Sequence, residues 1–172
     1  MRFVEGCDFL EFSAYLTRLG LYVGDGELDR LRNNLESGRS NLIVFRENGE
    51  IIGHAIWHES NTEEHSKGSP RDEKDREILR GFMGKGREFV ELHELWLVKE
   101  HRGKGYGKQF FDFFEDYIKR KGYDSIVYYA FDPAAIAICR KRGYQEAYGI
   151  EGTGPYGETE TEYSFYLKLR KT

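Results

Sequence analysis

The chain has 172 residues, 39% of them hydrophobic and 33% charged, with a net charge of -4 in which both signs are interspersed. That length suits one domain burying about two-thirds of its unfolded surface, and the mixed, slightly acidic charge argues against a nucleic-acid partner. No stretch approaches the roughly 18 apolar residues of a membrane span, the start Met1-Arg2-Phe3-Val4-Glu5-Gly6 lacks a signal peptide's apolar run, and Cys7 and Cys139 show neither metal nor disulfide-framework spacing, so a reducing, cytoplasmic setting without membrane contact is the expectation.

Residues Asp8 to Leu19 and Asp25 to Glu36 carry apolar side chains at helical spacing (Phe9, Phe12, Leu16, Leu19; Leu28, Leu31, Leu35), with Asp8 and Asp25 as caps. Asn41 to Arg46 and Ile51 to His58 follow as two strands joined at Glu47-Asn48-Gly49-Glu50, where Asn-Gly is a strong hairpin signal. From Glu59 to Glu88 the chain holds eight acidic and seven basic residues and four glycines, which reads as a charged insertion with one helix near Arg71 to Arg80 rather than a linker between domains. The whole chain, residues 1–172, is therefore expected to be a single domain.

Phe89 to Val98 is an apolar-rich strand, and Gly105 to Lys121 a helix with Phe110, Phe114 and Tyr117 on one stripe. Ser125 to Phe131 reads as a second apolar strand, Asp132 to Arg142 as a short Ala/Ile-rich helix, and Tyr144 to Tyr148 with Glu160 to Leu169 as terminal strands. The order is two helices and a hairpin, then strand, helix, strand, helix, then two strands.

The chemistry concentrates at Arg102-Gly103-Lys104-Gly105-Tyr106-Gly107, where the strand becomes the helix. Three alternate glycines leave the backbone free to adopt φ > 0 and let an anion approach amides that no side chain shields. No Ser, Thr, Asp or Asn occupies the cap position, so the first helical amides and the positive dipole end remain available, with Lys104 and Lys108 adding charge. The spacing G-x-G-x-G fits neither the dinucleotide fingerprint nor a P-loop, and Gly81-Phe82-Met83-Gly84-Lys85-Gly86 has too few spacers and no hydroxyl for the latter.

After Leu95-Trp96-Leu97-Val98, that turn matches the [QR]-x-x-G-x-[GA] signature and so resembles the GCN5-related N-acetyltransferase (GNAT) family. A second stretch, Asp132-Pro133-Ala134-Ala135-Ile136-Ala137-Ile138-Cys139-Arg140-Lys141-Arg142-Gly143-Tyr144, is similar to the family's N-x-x-A-x-x-x-Y-x-x-x-G-[FY] helix. The resemblance covers residues 89–144 and implies an α/β fold: a central, mostly antiparallel sheet with splayed strands, flanked by helices, that takes acetyl-CoA as co-substrate. His54, His58, His65 and His101 have no sulfur partner nearby in sequence, so no metal is expected. It further implies that the amides of Gly103, Gly105, Tyr106, Gly107 and Lys108 hold the pyrophosphate, with Arg102 and Lys104 in the same turn. The backbone of Leu97 and Val98 would pair with pantetheine, beside which Asp132 replaces the usual Asn.

Acetylating an alkyl amine needs a base, because a group of pKa about 10.4 is deprotonated only about once in 2,500 molecules at pH 7, a penalty of roughly 4.6 kcal/mol. Glu94 and His93 precede the turn on opposite faces of the strand, and by resemblance an acid on this strand acts directly or through water, which makes Glu94 the first candidate and His93 the second. The family's general acid is a tyrosine on the following helix, and this chain has Cys139 there, as a thiol donor or as a small core residue; Tyr128, Tyr129 or water are alternative donors. Arg140-Lys141-Arg142 could touch the coenzyme's 3′-phosphate or serve as an exposed helix end.

The implied function is acetyl transfer from acetyl-CoA to a primary amine of a small molecule or peptide by direct attack in a ternary complex. A non-catalytic acyl-CoA sensor is the alternative. Candidate walls for the acceptor are the first two helices, the insertion and the loop 152–158, and homodimers are frequent among such acetyltransferases.

Overall fold

In a computed structural model, described here for residues 1–65, 70–130, 132–153 and 159–168 (without the side chains of 70–72, 148–153, 159–165, 167 and 168), the chain forms two compact units. The first comprises residues 1–58 and 93–106, the second residues 59–92 and 107–172.

In the first unit the strands β1 (Arg2–Glu5), β2 (Asn41–Glu47) and β3 (Glu50–Asn61) pair antiparallel in that order, with β4 (Glu88–Leu97) next to β3. The β2–β3 turn places Asn48 and Gly49 at φ 52° and 86°, the two positive values that an Asn-Gly hairpin turn supplies without strain. Helices α1 (Phe9–Arg18) and α2 (Glu27–Glu36) bury Phe12, Tyr15, Leu16 and Leu31 in one cluster with Leu42, Val44, Ile51 and Ile56 of the hairpin. Asp8 caps α1 as its sequence suggests, its carboxylate accepting from the Glu11 amide at 3.1 Å. The cap of α2 is Gly26 in the left-handed region, one residue past the expected Asp25. Gly53 has a packing reason: a Cβ there would stand 2.5 Å from Phe45 Cδ2 and 2.6 Å from the Trp96 carbonyl oxygen, so β3 and the end of β4 approach too closely for any side chain.

In the second unit the order is β4-β5-β7-β6, from β5 (Ser125–Ala130), β7 (Thr159–Lys168) and β6 (Gln145–Thr153). The β4/β5 pair is parallel and short, Val90 to Leu92 against Ile126 to Tyr128, whereas β5/β7 and β6/β7 are antiparallel. This is the mixed sheet, mostly antiparallel, that the sequence order implies. Alternation along β5 sends Tyr128 to Phe111 of α4 (Tyr106–Arg120), ring centroids 5.9 Å apart, and Val127 to a cluster with Leu79 of α3 (Pro70–Met83).

The insertion is thus built around a helix of 14 residues, longer than the segment 71–80 expected from sequence. A buried polar chain ties it to the sheet: His65 Nε2 lies 2.8 Å from the Tyr129 hydroxyl, which donates to Asp75 Oδ2 at 3.1 Å, and His65 Nδ1 is 3.4 Å from Glu91 Oε2. Glu63 accepts from the Arg80 guanidinium at 2.6 Å and closes the insertion's base.

Candidate active site

Within the first unit β4 carries His93, then Glu94. His93 is exposed, its ring 5.8 Å from that of His58. The Glu94 side chain is 23% exposed and held from two sides. Its Oε1 accepts from His54 Nε2 at 2.6 Å, and its Oε2 accepts from the hydroxyl of Tyr22 in the α1–α2 connection.

His54, on β3, is fully buried, with the Phe12 and Tyr15 rings edge-on to it at 5.3 and 5.5 Å. Its Nδ1 lies 3.0 Å from the Tyr15 hydroxyl. An ionised carboxylate only accepts, so Nε2 carries the proton of its contact, and the Tyr15 hydroxyl, which can donate or accept, meets Nδ1. Burial pushes the Glu94 carboxyl up, but the hydrogen bond and field of His54, then the Tyr22 hydroxyl and the nearby His93, outweigh burial and hold it below the usual carboxylate range. Tyr22 reaches Glu94 from φ 57°, a left-handed backbone that costs a non-glycine residue roughly 1–2 kcal/mol.

From Glu94 the strand runs into the glycine turn. Val98 donates its amide to the Ile52 carbonyl at 2.8 Å, the 3-10 turn Lys99–His101 follows, and Arg102 folds back so that Nε donates to the Leu97 carbonyl at 2.9 Å while its guanidinium lies 5.3 Å from the Trp96 ring centre. Of the Leu97 and Val98 backbone expected to pair with pantetheine, the Val98 amide and the Leu97 carbonyl are thus engaged within the chain. Gly103 and Gly105 have φ 75° and 80°, and a Cβ on either would meet nothing within 4 Å, so the requirement for glycine there is conformational rather than steric. Helix α4 starts at Tyr106 with no acidic side chain in its first turn, which leaves its positive end uncompensated. The Tyr106 hydroxyl turns to Glu47 Oε1 at 2.5 Å, and that hydrogen bond chiefly holds the Glu47 carboxyl below its ordinary range. His101 Nδ1 is 3.2 Å from Glu47 Oε2 but lacks the alignment of a hydrogen bond.

The model of the acetyltransferase (GNAT) family matches residues 12–144, most of the chain. The protein belongs to the GNAT family.

Solved structures agree on the fold. The polyamine N-acetyltransferase of Drosophila melanogaster aligns over 98% of this chain and all of its own, with 12% identity and a TM-score of 0.64. Arylalkylamine N-acetyltransferase 2 of Aedes aegypti aligns over 98% and 99%, with 14% identity and a TM-score of 0.68. The yncA protein of Salmonella typhimurium, solved with its cofactor acetyl-CoA, aligns over 99% and 95%, with 16% identity and a TM-score of 0.62. No curated protein matches the sequence.

The remaining site residues of this GNAT chain lie in the second unit. Gly107 needs space rather than a special φ, since a Cβ would stand 3.0 Å from Ile138 Cδ1 of α5 (Pro133–Lys141). Lys108 pairs with Asp112 at 3.3 Å, one turn on, and is largely exposed. Asp132 is the N-cap of α5, its Oδ1 accepting from the Ala134 and Ala135 amides at 2.8 and 3.4 Å; a carboxylate serves this role as well as the family's Asn. In the basic run 140–142, Arg142 is held by Glu115 at 2.7 Å and Asp112 at 2.6 Å, and the exposed Arg140 pairs with Glu146 at 3.1 Å.

Cys139, where the resemblance expects a tyrosine, is fully buried in α5, and burial pushes its thiol up to about 12. A thiol that burial keeps protonated and that has no exposed surface fits the core-packing role. The loop 152–158 named as an acceptor wall lies mostly outside the described residues, and the side chains of 152 and 153 lie outside them as well.

Sequence reasoning gave no role to Tyr15 and Tyr22, and weighed His54 only as a metal ligand. The signal for His54 was present in its strand, where Ile52, His54 and Ile56 share one face by period two: a titratable group on an apolar face needs a partner.

Proposed function

We propose that this GNAT protein transfers the acetyl group of acetyl-CoA to a primary amine of a small molecule or peptide, by direct attack within a ternary complex. One observation carries the reading: a carboxylate braced by two donors, Glu94, stands on the strand that enters a left-handed glycine turn and an uncompensated helix start. In this reading the turn residues Gly103, Gly105, Tyr106, Gly107 and Lys108 hold the pyrophosphate through their amides, with Lys104 adding charge. Glu94, directly or through a water, draws the proton from the acceptor's ammonium. The amine nitrogen then attacks the thioester carbonyl carbon, the carbon–sulfur bond breaks as the nitrogen gives up its second proton, and the departing coenzyme A thiolate takes up that proton through water. Residues 1–172 act as one acetyltransferase domain, the cytoplasm is the expected site of action, and a homodimer is compatible with the reading.

Several of the similar structures carry names of polyamine and arylalkylamine acetyltransferases, which supports a small cationic amine as the acceptor class. The test is a two-substrate initial-rate experiment varying acetyl-CoA against an accepted amine. Direct attack predicts reciprocal plots that intersect, with an N-acetylated amine identified by mass spectrometry. Parallel plots, the mark of an acetyl-enzyme, would exclude the ternary mechanism.

A further inference from the structure

The chain of hydrogen bonds behind Glu94 is longer than a base needs. A carboxylate that only accepted protons would gain from solvent and from few donors, whereas Glu94 receives two protein donors, and the donor at Oε1 is itself fixed from behind. His54 has no exposed surface, so its ring cannot be oriented by water. Its two nitrogens face one partner each, Tyr15 at Nδ1 and Glu94 at Nε2. Were Nδ1 to carry the single proton of a neutral ring, a lone pair would face the carboxylate at 2.6 Å and repel it. The ionised carboxylate, which only accepts, therefore keeps a ring proton on Nε2, and the Tyr15 hydroxyl, able to donate or to accept, anchors the ring through Nδ1. Phe12 and Tyr15 pack edge-on against the ring and resist its rotation.

We propose that Tyr15 and His54 are a positioning pair for the acetyltransferase reaction: Tyr15 anchors the His54 ring through Nδ1, and His54 thereby holds Glu94 ionised and in a single orientation toward the acceptor's ammonium. The proposal rests on the functional reading above only for the reaction that Glu94 serves; the electrostatic relation among the three side chains stands without it. Among the described residues, Glu94 is met by His54 from β3 and Tyr22 from the α1–α2 connection, feels the field of His93 on the other face of its own strand, and Tyr15 of α1 acts through His54. Of these, the Tyr15–His54 pair is sealed from solvent at the His54 ring, so salt screens its contribution less than that of the exposed His93.

The experiment reads the Glu94 carboxyl directly, by carbon-13 NMR titration of the full-length chain labelled at glutamate, with the resonance assigned by its absence in Glu94→Gln. In the wild type it titrates below the ordinary glutamate range. In His54→Phe it is expected to move up by about one pH unit or more, because burial then acts with one opposing donor fewer. In His54→Gln, whose amide can donate in place of Nε2, most of that shift is restored. Tyr15→Phe moves the titration in the same direction as His54→Phe by a smaller amount, since the buried ring loses its anchor at Nδ1. The acid limb of kcat/KM against pH moves in parallel.

Unchanged Glu94 titration in both His54→Phe and Tyr15→Phe, in folded proteins, would overturn the proposal. If His54→Phe does not fold, Tyr15→Phe alone decides, and an unshifted titration in it has the same meaning. A shifted titration combined with full activity of Glu94→Gln would instead remove Glu94 as the base and leave the positioning relation intact, so the two failures are distinguishable.

Discussion

Replacing Glu94 with Gln is expected to lower kcat/KM at neutral pH by about 100- to 10,000-fold, the usual contribution of a positioned general base. The remaining activity should rise with pH toward the pKa of the free amine, since only the amine already deprotonated in bulk water can then react. The wild type should keep its activity down to a lower pH, because the Glu94 carboxyl is held below the ordinary range and loses its negative charge only as pH falls through that depressed value. The same depression makes a stability statement with a defined sign. Ionised Glu94 favours the folded state above the unfolded-state pKa of a glutamate, and that contribution is lost as pH falls through the folded value. A Glu94→Gln profile that superimposes on the wild type would take the base role away from this residue.

The second large effect is at the glycine turn. Gly105→Val should weaken coenzyme A binding on the order of a hundredfold or more, measured by calorimetry, because a β-branched residue at φ 80° must shift the backbone and carry its amide, with the neighbouring ones, away from the pyrophosphate. The fold should survive, with stability falling by about 1–2 kcal/mol, since no atom lies within 4 Å of the added Cβ. Gly107→Val separates the two causes. There the Cβ meets Ile138 Cδ1 at 3.0 Å, so the loss appears in unfolding as well as in binding. Unchanged affinity in a folded Gly105→Val protein would remove the turn from the coenzyme site.

Much of this architecture was legible because local and global signals agree. The α1 and α2 stripes, the Asn48-Gly49 turn, the Phe110/Phe114 face of α4 and the continuous β5 run each state their element and their buried side in a few residues. Two elements were harder to read. β1 is four residues long with mostly exposed side chains, so it has neither the length nor the alternation that marks a strand. α3 extends well beyond the expected segment in a stretch dense in charge, and what holds it is non-local: Leu79 against Val127 and Phe89, and the His65, Tyr129 and Asp75 hydrogen bonds.

The site divides the same way. The turn is a contiguous motif whose backbone needs are written in its glycines, and Glu94 follows from its place on the preceding strand. The residues that set the properties of Glu94 come from three separate segments, at positions 15, 22 and 54, and no spacing rule joins them; only the register of β2 with β3 and the packing of α1 bring Tyr15 to His54. Asp132 and Cys139 show the converse. Their motif positions were readable, but the helix cap and the buried packing that occupy them depend on contacts that a motif does not contain.

The most direct test of the central claim is thiol release from acetyl-CoA, followed with and without a panel of polyamines, aminoglycosides, amino acids and short peptides. Release that depends on an amine and matches it in stoichiometry with an N-acetylated product is the predicted result. Coenzyme A that binds without any amine-dependent release would contradict the acetyltransferase reading in favour of a sensor, and a protein that neither binds coenzyme A nor releases thiol would contradict both.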